Sequence, residues 1–364
     1  MKVLFAGGGT GGHLYPGIAL AQSLGAGSRS FFLCTERAFD ARELAAYGMD
    51  FEILAAPRIR PLIALPGAML GAVAQARRRL RKFAPDLVVG LGGYGSFPTL
   101  AAATMEGTPY VLLEPNAQPG RANLLAARGA RRIYTQWEET RRSFPGLGSR
   151  VVHAGSPLRT GLDRLPREEA RRRLGLEGDA PVVGVIGGSQ GADSLNRLVV
   201  RELASAPGAR ILHLAGKMAE AVRAEYRAAG RDARVEEFRR DMGTVYSACD
   251  LVISRAGALA IAELQALGCA SVLVPYPHAA GDHQAANARL LARAGAAGLV
   301  DEREARTGAL ADWVRRLMRG DAVFDRMRRV ISTLARPDSA RHIVRDWASW
   351  IPAPRTWSES AASA

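Results

Sequence analysis

His13 ends a run of glycines, Gly7-Gly8-Gly9-Thr10-Gly11-Gly12. An imidazole has a reference pKa near ~6.5 and can accept a proton at neutral pH. The glycines ahead of it let backbone N–H groups approach an anion closely. No Cβ holds the ligand off, and the positive φ angles of an anion nest are open to them. A tight turn without a ligand would use the same residues. The pattern recurs in Gly92-Gly93-Tyr94-Gly95-Ser96 and in Gly187-Gly188-Ser189-Gln190-Gly191, where Ser189 adds a hydroxyl. A fourth cluster runs from Ser254-Arg255-Ala256-Gly257 into Ala258-Leu259-Ala260-Ile261-Ala262-Glu263. Glu263 is the only acid there. It reads either as a solvent-facing residue of an amphipathic helix or as a bidentate acceptor for two ribose hydroxyls. His278, Asp282, His283, Gln284 and Asn287 form a polar patch. Their spacing fits no familiar metal-ligand pattern, so no metal is expected. Asp282, Gln284 and Asn287 suit the hydroxyls of a sugar better.

Each glycine loop lies between a short apolar run and a helical pattern. Val3 to Ala6 precedes the first loop, Asp86 to Gly90 the second, Pro181 to Ile186 the third and Asp250 to Ile253 the last. Further strands are expected at Ser30–Cys34, Phe51–Leu54, Tyr110–Leu113, Arg132–Thr135, Val151–His153, Ile211–Leu214 and Ala270–Val274. Near-continuous apolar strands alternating with helices predict parallel α/β sheets, doubly wound, with ligands at the carboxyl ends of the strands. The pattern stops at Gly155-Ser156-Pro157-Leu158-Arg159, which reads as a linker, and then restarts. Two domains are expected, 1–158 and 159–336, with a cleft between them. An amphipathic helix follows within 337–351, and the small, polar stretch 352–364 is expected to be disordered.

The chain has 364 residues, with 48% hydrophobic and 23% charged, as in soluble globular proteins. Its formal net charge is +14, and residues 1–160 hold 19 Lys+Arg against 10 Asp+Glu. That surplus favours an anionic membrane surface or phosphorylated substrates. No basic run carries interleaved aromatics, so nucleic acid is not expected. Cys34, Cys249 and Cys269 are far apart in apolar contexts and read as buried free thiols of a reducing compartment. The first apolar run stops at Ala6, unlike a signal peptide. The longest apolar stretch, Leu62 to Ala74, is too short to span a bilayer. Pro61 to Phe83 joins apolar residues to Arg77, Arg78, Arg79, Arg81 and Lys82. It suits either an anionic membrane face or a core helix with a solvated basic end.

Gly7, Gly9 and Gly12 also fit G-x-G-x-x-G, and Glu36 follows the second strand at a distance suited to a ribose. A nicotinamide-dependent oxidoreductase is therefore a rival reading. His13 at the helix start and a second domain with its own glycine loops count against it. A membrane-surface binding protein without turnover is a third.

Taken together and in order, Gly8-Gly9-Thr10-Gly11-Gly12-His13, Gly92-Gly93-Tyr94, Gly187 to Gly191, Ser254 to Glu263 and His278 to Asn287 closely resemble the MurG family, over roughly residues 1–335. That family transfers N-acetylglucosamine (GlcNAc) from UDP-GlcNAc to undecaprenyl-pyrophosphoryl-N-acetylmuramoyl-pentapeptide in peptidoglycan synthesis. The resemblance implies a GT-B fold of two facing Rossmann-like domains, with the last helix, Ser339 to Trp350, crossing back to the first. It implies an inverting hexosyltransferase without cofactor on the cytoplasmic face of the cell membrane. It also implies roles. Ser189 and Arg159 would meet the diphosphate, the backbone near Arg239 the uracil, and Ala258 to Glu263 the nucleotide, with Glu263 on the ribose. Gln284 would read the GlcNAc hydroxyls, while Thr10, Gly11, Gly12 and Asn116 reach across. Tyr94 and Ser96 would face the acceptor. His13 is the expected general base, with an acceptor-phosphate or loop-structuring role as its alternative. Two departures fall on the acceptor side. Phe97 replaces the glycine of Gly-Gly-Tyr-x-Ser-Gly-Pro, and Leu113-Glu114-Pro115-Asn116 stands for His-Glu-Gln-Asn. A related transferase with another acceptor is the alternative they leave.

Overall fold

The computed structural model describes residues 1–55, 65–187, 192–204, 206, 208–302 and 308–351. Ser189, Leu62 and Ile63, and the stretch 352–364 lie outside the described residues. The chain divides into two compact units. The first holds 1–115, 119–159 and 337 onward, and the second holds 116–118 and 160–336.

In the first unit the order is β1 (Lys2–Ala6), α1 (Gly11–Gln22), β2 (Arg29–Cys34), α2 (Ala38–Ala46), β3 (Phe51–Ile53) and α3 (Leu65–Phe83). It continues with β4 (Leu87–Gly90), α4 (Phe97–Glu106), β5 (Tyr110–Glu114), α5 (Arg121–Ala126), β6 (Arg132–Thr135) and β7 (Val151–His153). Seven strands form one sheet in the order β3-β2-β1-β4-β5-β6-β7, every pair parallel. β1, β4 and β5 are apolar along nearly their whole length because helices cover both faces, and they bury accordingly. The strand order reverses between β1 and β4. The loops that leave these two strands are therefore the first and second glycine loops, side by side at the switch point where doubly wound sheets bind ligands.

The second unit repeats the logic. α6 (Arg167–Arg173) leads to β8 (Val182–Ile186), α7 (Asp193–Leu203), β9 (Arg210–Leu214), α8 (Ala219–Ala228), β10 (Ala233–Glu236), α9 (Met242–Ala248) and β11 (Leu251–Ser254). Then come α10 (Ala258–Leu267), β12 (Ser271–Leu273), α11 (His283–Arg293), β13 (Gly298–Leu299), α12 (Ala309–Met318) and α13 (Val323–Thr333). The parallel sheet runs β10-β9-β8-β11-β12-β13. Its switch point lies between β8 and β11.

A final helix, α14 (Ser339–Ala348), packs against α1 of the first unit. Trp347 is fully buried, and Tyr134 of β6 donates its hydroxyl hydrogen to Asp346. Arg132 adds an ion pair to the same carboxylate. Cys34 and Cys269 are buried free thiols, whereas Cys249 is only partly buried, contrary to expectation. Its thiol donates to Val245 O within α9's last turn.

The basic end of α3 is less open than its sequence implies. Arg77 and Arg81 both bond Glu106, and Arg79 pairs with Glu52. Ala72, Ala76 and Leu80 face the core, while Leu70 is 70% exposed. Arg78 and Lys82 point to solvent. Among the described residues, no helix is long and apolar enough to cross a membrane.

Candidate active site in two halves

The first glycine loop is clamped from outside its own segment. Gly7, Gly8 and Gly9 all take positive φ, a region closed to most side chains. Gly9 N–H donates to Asp40 Oδ2 at 2.7 Å, and Arg37 donates to Gly9 O at 2.6 Å. Thr35 Oγ1 donates to the same Asp40 oxygen. Asp40 is wholly buried, and desolvation raises its pKa above the ordinary carboxylate value against the pull of these donors. A Cβ on Gly8 would stand 2.6 Å from Asp40 Oδ2, so the glycine is needed for that close approach. Gly9 N–H thus serves the protein's own carboxylate. Glu36, the residue that a dinucleotide reading puts on the ribose, is exposed.

At the start of α1, Thr10 occupies the N-cap without using its side chain as a cap. Its hydroxyl instead lies 3.0 Å from His13 Nδ1. The other face of the imidazole rests on the second glycine loop. A Cβ on Gly92 would fall 3.1 Å from His13 Cδ2, and one on Gly93 3.6 Å from Cε1. The two loops at the switch point therefore meet at this ring. Pro16 has no N–H to donate to the Gly12 carbonyl. Gly12, Pro16, Leu91, Glu114, Tyr134 and Ser156 are among the residues lining a small recess beside it. Glu114 is buried and accepts from Gly120 N–H and from Asn123 Nδ2.

Of the two residues expected on the acceptor, Tyr94 is partly exposed, in a 3-10 turn over Tyr94–Ser96. Ser96 corrects the expectation. It is fully buried and its hydroxyl donates to Gly93 O, so it shapes the loop from within. Tyr15, which the sequence reading passed over, is buried under the guanidinium of Arg159, 4.2 Å from its ring centroid.

The second unit carries its own group of expected site residues. α10 is apolar apart from Glu263 and Gln265, and Glu263 is buried in it, accepting from Tyr246 OH at 2.9 Å. The solvent-facing alternative for Glu263 is therefore excluded. Gly257 N-caps α10 without a side chain, and the Ile261 N–H makes the first intrahelical bond, to Gly257 O. Arg255 is buried and ties the region together: it donates to Val274 O, Pro275 O, Glu302 and Ser194 Oγ. Arg239 grips Glu236 with two hydrogen bonds.

Gln284 Oε1 accepts from Tyr276 N–H. Asn287 differs from expectation. It is wholly buried, and its amide bonds Ala117 N–H, Asn116 Oδ1 and Ala256 O. It holds Asn116, a predicted site residue, in the second unit instead of meeting a sugar itself. Asp282 pairs with Arg289, and His278 lies edge-on to Tyr276. Among the described residues, no group of three or more His, Cys, Asp and Glu is placed to hold a metal ion.

The glycosyltransferase family 28 N-terminal domain matches residues 3–135 and its C-terminal domain residues 182–342. The UDP-N-acetylglucosamine–N-acetylmuramyl-(pentapeptide) pyrophosphoryl-undecaprenol N-acetylglucosamine transferase of Halorhodospira halophila is 40% identical, covering 94% of this chain and 96% of that one. Its counterpart from Pelobacter propionicus is 39% identical, covering 94% and 98%. The crystal structure of Acinetobacter baumannii MurG superimposes with a TM-score of 0.76 at 30% identity, covering 96% of this chain and 99% of that one. The fold is GT-B, built from two Rossmann-like domains. The chain belongs to the MurG family of N-acetylglucosamine transferases, within glycosyltransferase family 28.

Proposed function

We propose that this chain moves GlcNAc from UDP-GlcNAc to the lipid-linked N-acetylmuramoyl-pentapeptide, with inversion at the anomeric carbon. The acceptor hydroxyl oxygen attacks that carbon, the bond to the UDP oxygen breaks, and the hydroxyl proton goes to His13. The observation that carries the assignment of the base is the seat of the imidazole. It is held by Thr10 on one side and by Gly92 and Gly93 on the other, where two ligand-binding loops converge. Thr10 Oγ1 lies 3.0 Å from Nδ1, and the ring nitrogen that carries no proton is the basic atom.

The donor is assigned mostly to the second unit, with Arg159, Thr10, Gly11 and Gly12 contributed by the first. Ser189 and Arg159 take the diphosphate, and the backbone beside Arg239 takes the uracil. The start of α10 (Ala258, Leu259, Ala260, Ile261 and Ala262) takes the nucleotide, Glu263 the ribose and Gln284 the GlcNAc. Thr10, Gly11, Gly12 and Asn116 complete the donor contacts, and Tyr94 faces the acceptor. Helix starts and hydroxyls stabilise the charge that develops on the departing diphosphate. Functionally the division is an acceptor domain 1–158, a donor domain 159–336 and a returning helix in 337–351.

The protein works at the cytoplasmic membrane face, held peripherally. Exposed Leu70, Met105, Leu124 and Leu125 on the first unit, with exposed Arg78 and Lys82 on the helix that carries Leu70, support that placement. The internal use of Gly9 N–H by Asp40 speaks against a dinucleotide cradle. The decisive experiment is UDP release from UDP-GlcNAc with and without the lipid-linked acceptor. Acceptor-dependent release is expected, and release that ignores the acceptor contradicts the assignment.

A further inference from the structure

Arg159 ends the segment 119–159 of the first unit, at the junction to Thr160. Arg159 is 8% exposed, and its guanidinium carbon stands 4.2 Å from the ring centroid of Tyr15, which sits two residues after His13 on α1. Tyr15 is itself enclosed. Phe39 and Tyr47 meet its ring edge-on, and its hydroxyl donates to Glu43 Oε2 at 3.0 Å. Glu43 is completely buried in α2, with Arg42 at 3.3 Å from its other oxygen. Burial pushes the Tyr15 phenol well above its usual range, so the group stays protonated and remains a donor. A phenol that donates to a carboxylate gains electron density in its ring. The ring face then attracts a guanidinium more strongly, and desolvation strengthens that attraction further.

An arginine in solution samples many rotamers, and ordering it costs free energy when a ligand arrives. Here the stacking is already made. We propose that Tyr15 and Glu43 are positioning residues that hold the Arg159 guanidinium ready for the nucleotide sugar's diphosphate, so that α1 carries both His13 and the platform for a donor contact. The proposal rests on the reading of Arg159 as a diphosphate ligand. Neither Tyr15 nor Glu43 touches substrate. Their effect is on affinity for the donor, not on proton transfer.

The test is a double-mutant cycle read by UDP calorimetry and by KM and kcat for UDP-GlcNAc, using the full chain. Tyr15→Leu removes the platform, and its UDP Kd and donor KM should each rise about tenfold while kcat stays within about twofold, as expected for loss of one desolvated cation–π contact. Tyr15→Phe keeps the ring and loses the hydrogen bond, and should recover most of the affinity, to about threefold of wild type. Glu43→Gln should match Tyr15→Phe. In an Arg159→Ala background, Tyr15→Leu should change UDP affinity by less than about twofold, because the shared contact is already gone. Equal losses from Tyr15→Leu with and without Arg159 would overturn the positioning role and indicate a general packing defect. So would unchanged UDP affinity in Tyr15→Leu when Arg159→Ala is weakened. Unchanged UDP affinity in Arg159→Ala itself would instead remove the diphosphate reading and the proposal with it. Thermal melting alongside identifies any variant that fails to fold; Tyr15→Phe, which preserves the packed ring, then carries the cycle.

Discussion

Gly92 and Gly93 separate the placement of His13 from the shape of its loop. Both have positive φ, +87° and +73°. An alanine at either site therefore carries a similar backbone strain, about 1–2 kcal/mol. Their contacts differ. The new Cβ at 92 would meet His13 Cδ2 at 3.1 Å and Nε2 at 3.3 Å, closer than ordinary contact. The new Cβ at 93 would meet the ring no closer than 3.6 Å, an ordinary distance. Gly92→Ala must push the imidazole by a few tenths of an ångström, whereas Gly93→Ala need not. A displacement of ~1 Å at a reacting group costs about 10²-fold in rate, so the shift here costs about 4–10-fold. Both variants should melt about 2–8 °C lower, with kcat at saturating substrates reduced about 4–10-fold in Gly92→Ala relative to Gly93→Ala. UDP release by a coupled assay gives kcat, and scanning calorimetry gives the melting shift. Equal kcat for the two variants, or a wild-type kcat for Gly92→Ala, would refute the reasoning.

Other expectations follow from single contacts. Glu263→Gln keeps the bond from Tyr246 but removes the charge, so UDP should bind at least about tenfold more weakly by calorimetry, the scale of a charged hydrogen bond. Unchanged affinity would remove the ribose assignment. His213 is wholly buried between Asn196 and Tyr226, and burial lowers its pKa from 6.5 to about 3. Because the unfolded chain takes up the proton first, stability falls as pH drops below 6.5, by up to about 1.4 kcal/mol per pH unit, until the folded pKa is reached. Above pH 6.5 both states are neutral and the group adds no slope. His213→Gln should therefore flatten denaturant stability between pH 6.5 and 4, and an unaltered slope would contradict the burial argument. Asp346→Asn weakens the hold of Tyr134 and Arg132 on α14, costing about 1–3 kcal/mol. Hydrogen exchange should show α14 opening ahead of the β4–β5 core, and uniform protection loss would count against a separately anchored helix.

The parts legible in the sequence are those written in neighbouring residues. β1, β4 and β8 announce themselves because a parallel strand covered on both faces is apolar throughout. The glycine loops do so because close approach and positive φ leave few alternatives to glycine. The partners that fix those loops left no local trace. Asp40 meets Gly9 across 31 positions, Glu43 meets Tyr15 across 28, and Asn287 meets Asn116 across 171. Periodicity sees none of these. Only a buried acid on a short helix, at Asp40 or Glu43, could have hinted at them. Ser96 and Asn287 were misjudged for a related reason. A polar residue in a glycine-rich or sugar-reading context suggests a ligand contact, but both hydrogen-bond their own backbone or a neighbouring amide and are buried doing so. The mostly apolar surround of Glu263 argued for burial more strongly than its helical spacing argued for solvent.

The most direct measurement is steady-state turnover of His13→Ala with UDP-GlcNAc and the lipid-linked N-acetylmuramoyl-pentapeptide, alongside UDP affinity by calorimetry. Loss of the general base should lower kcat by about 10²–10⁴-fold and leave UDP binding within about twofold of wild type. Turnover close to wild type would contradict the assignment of His13 as the proton acceptor.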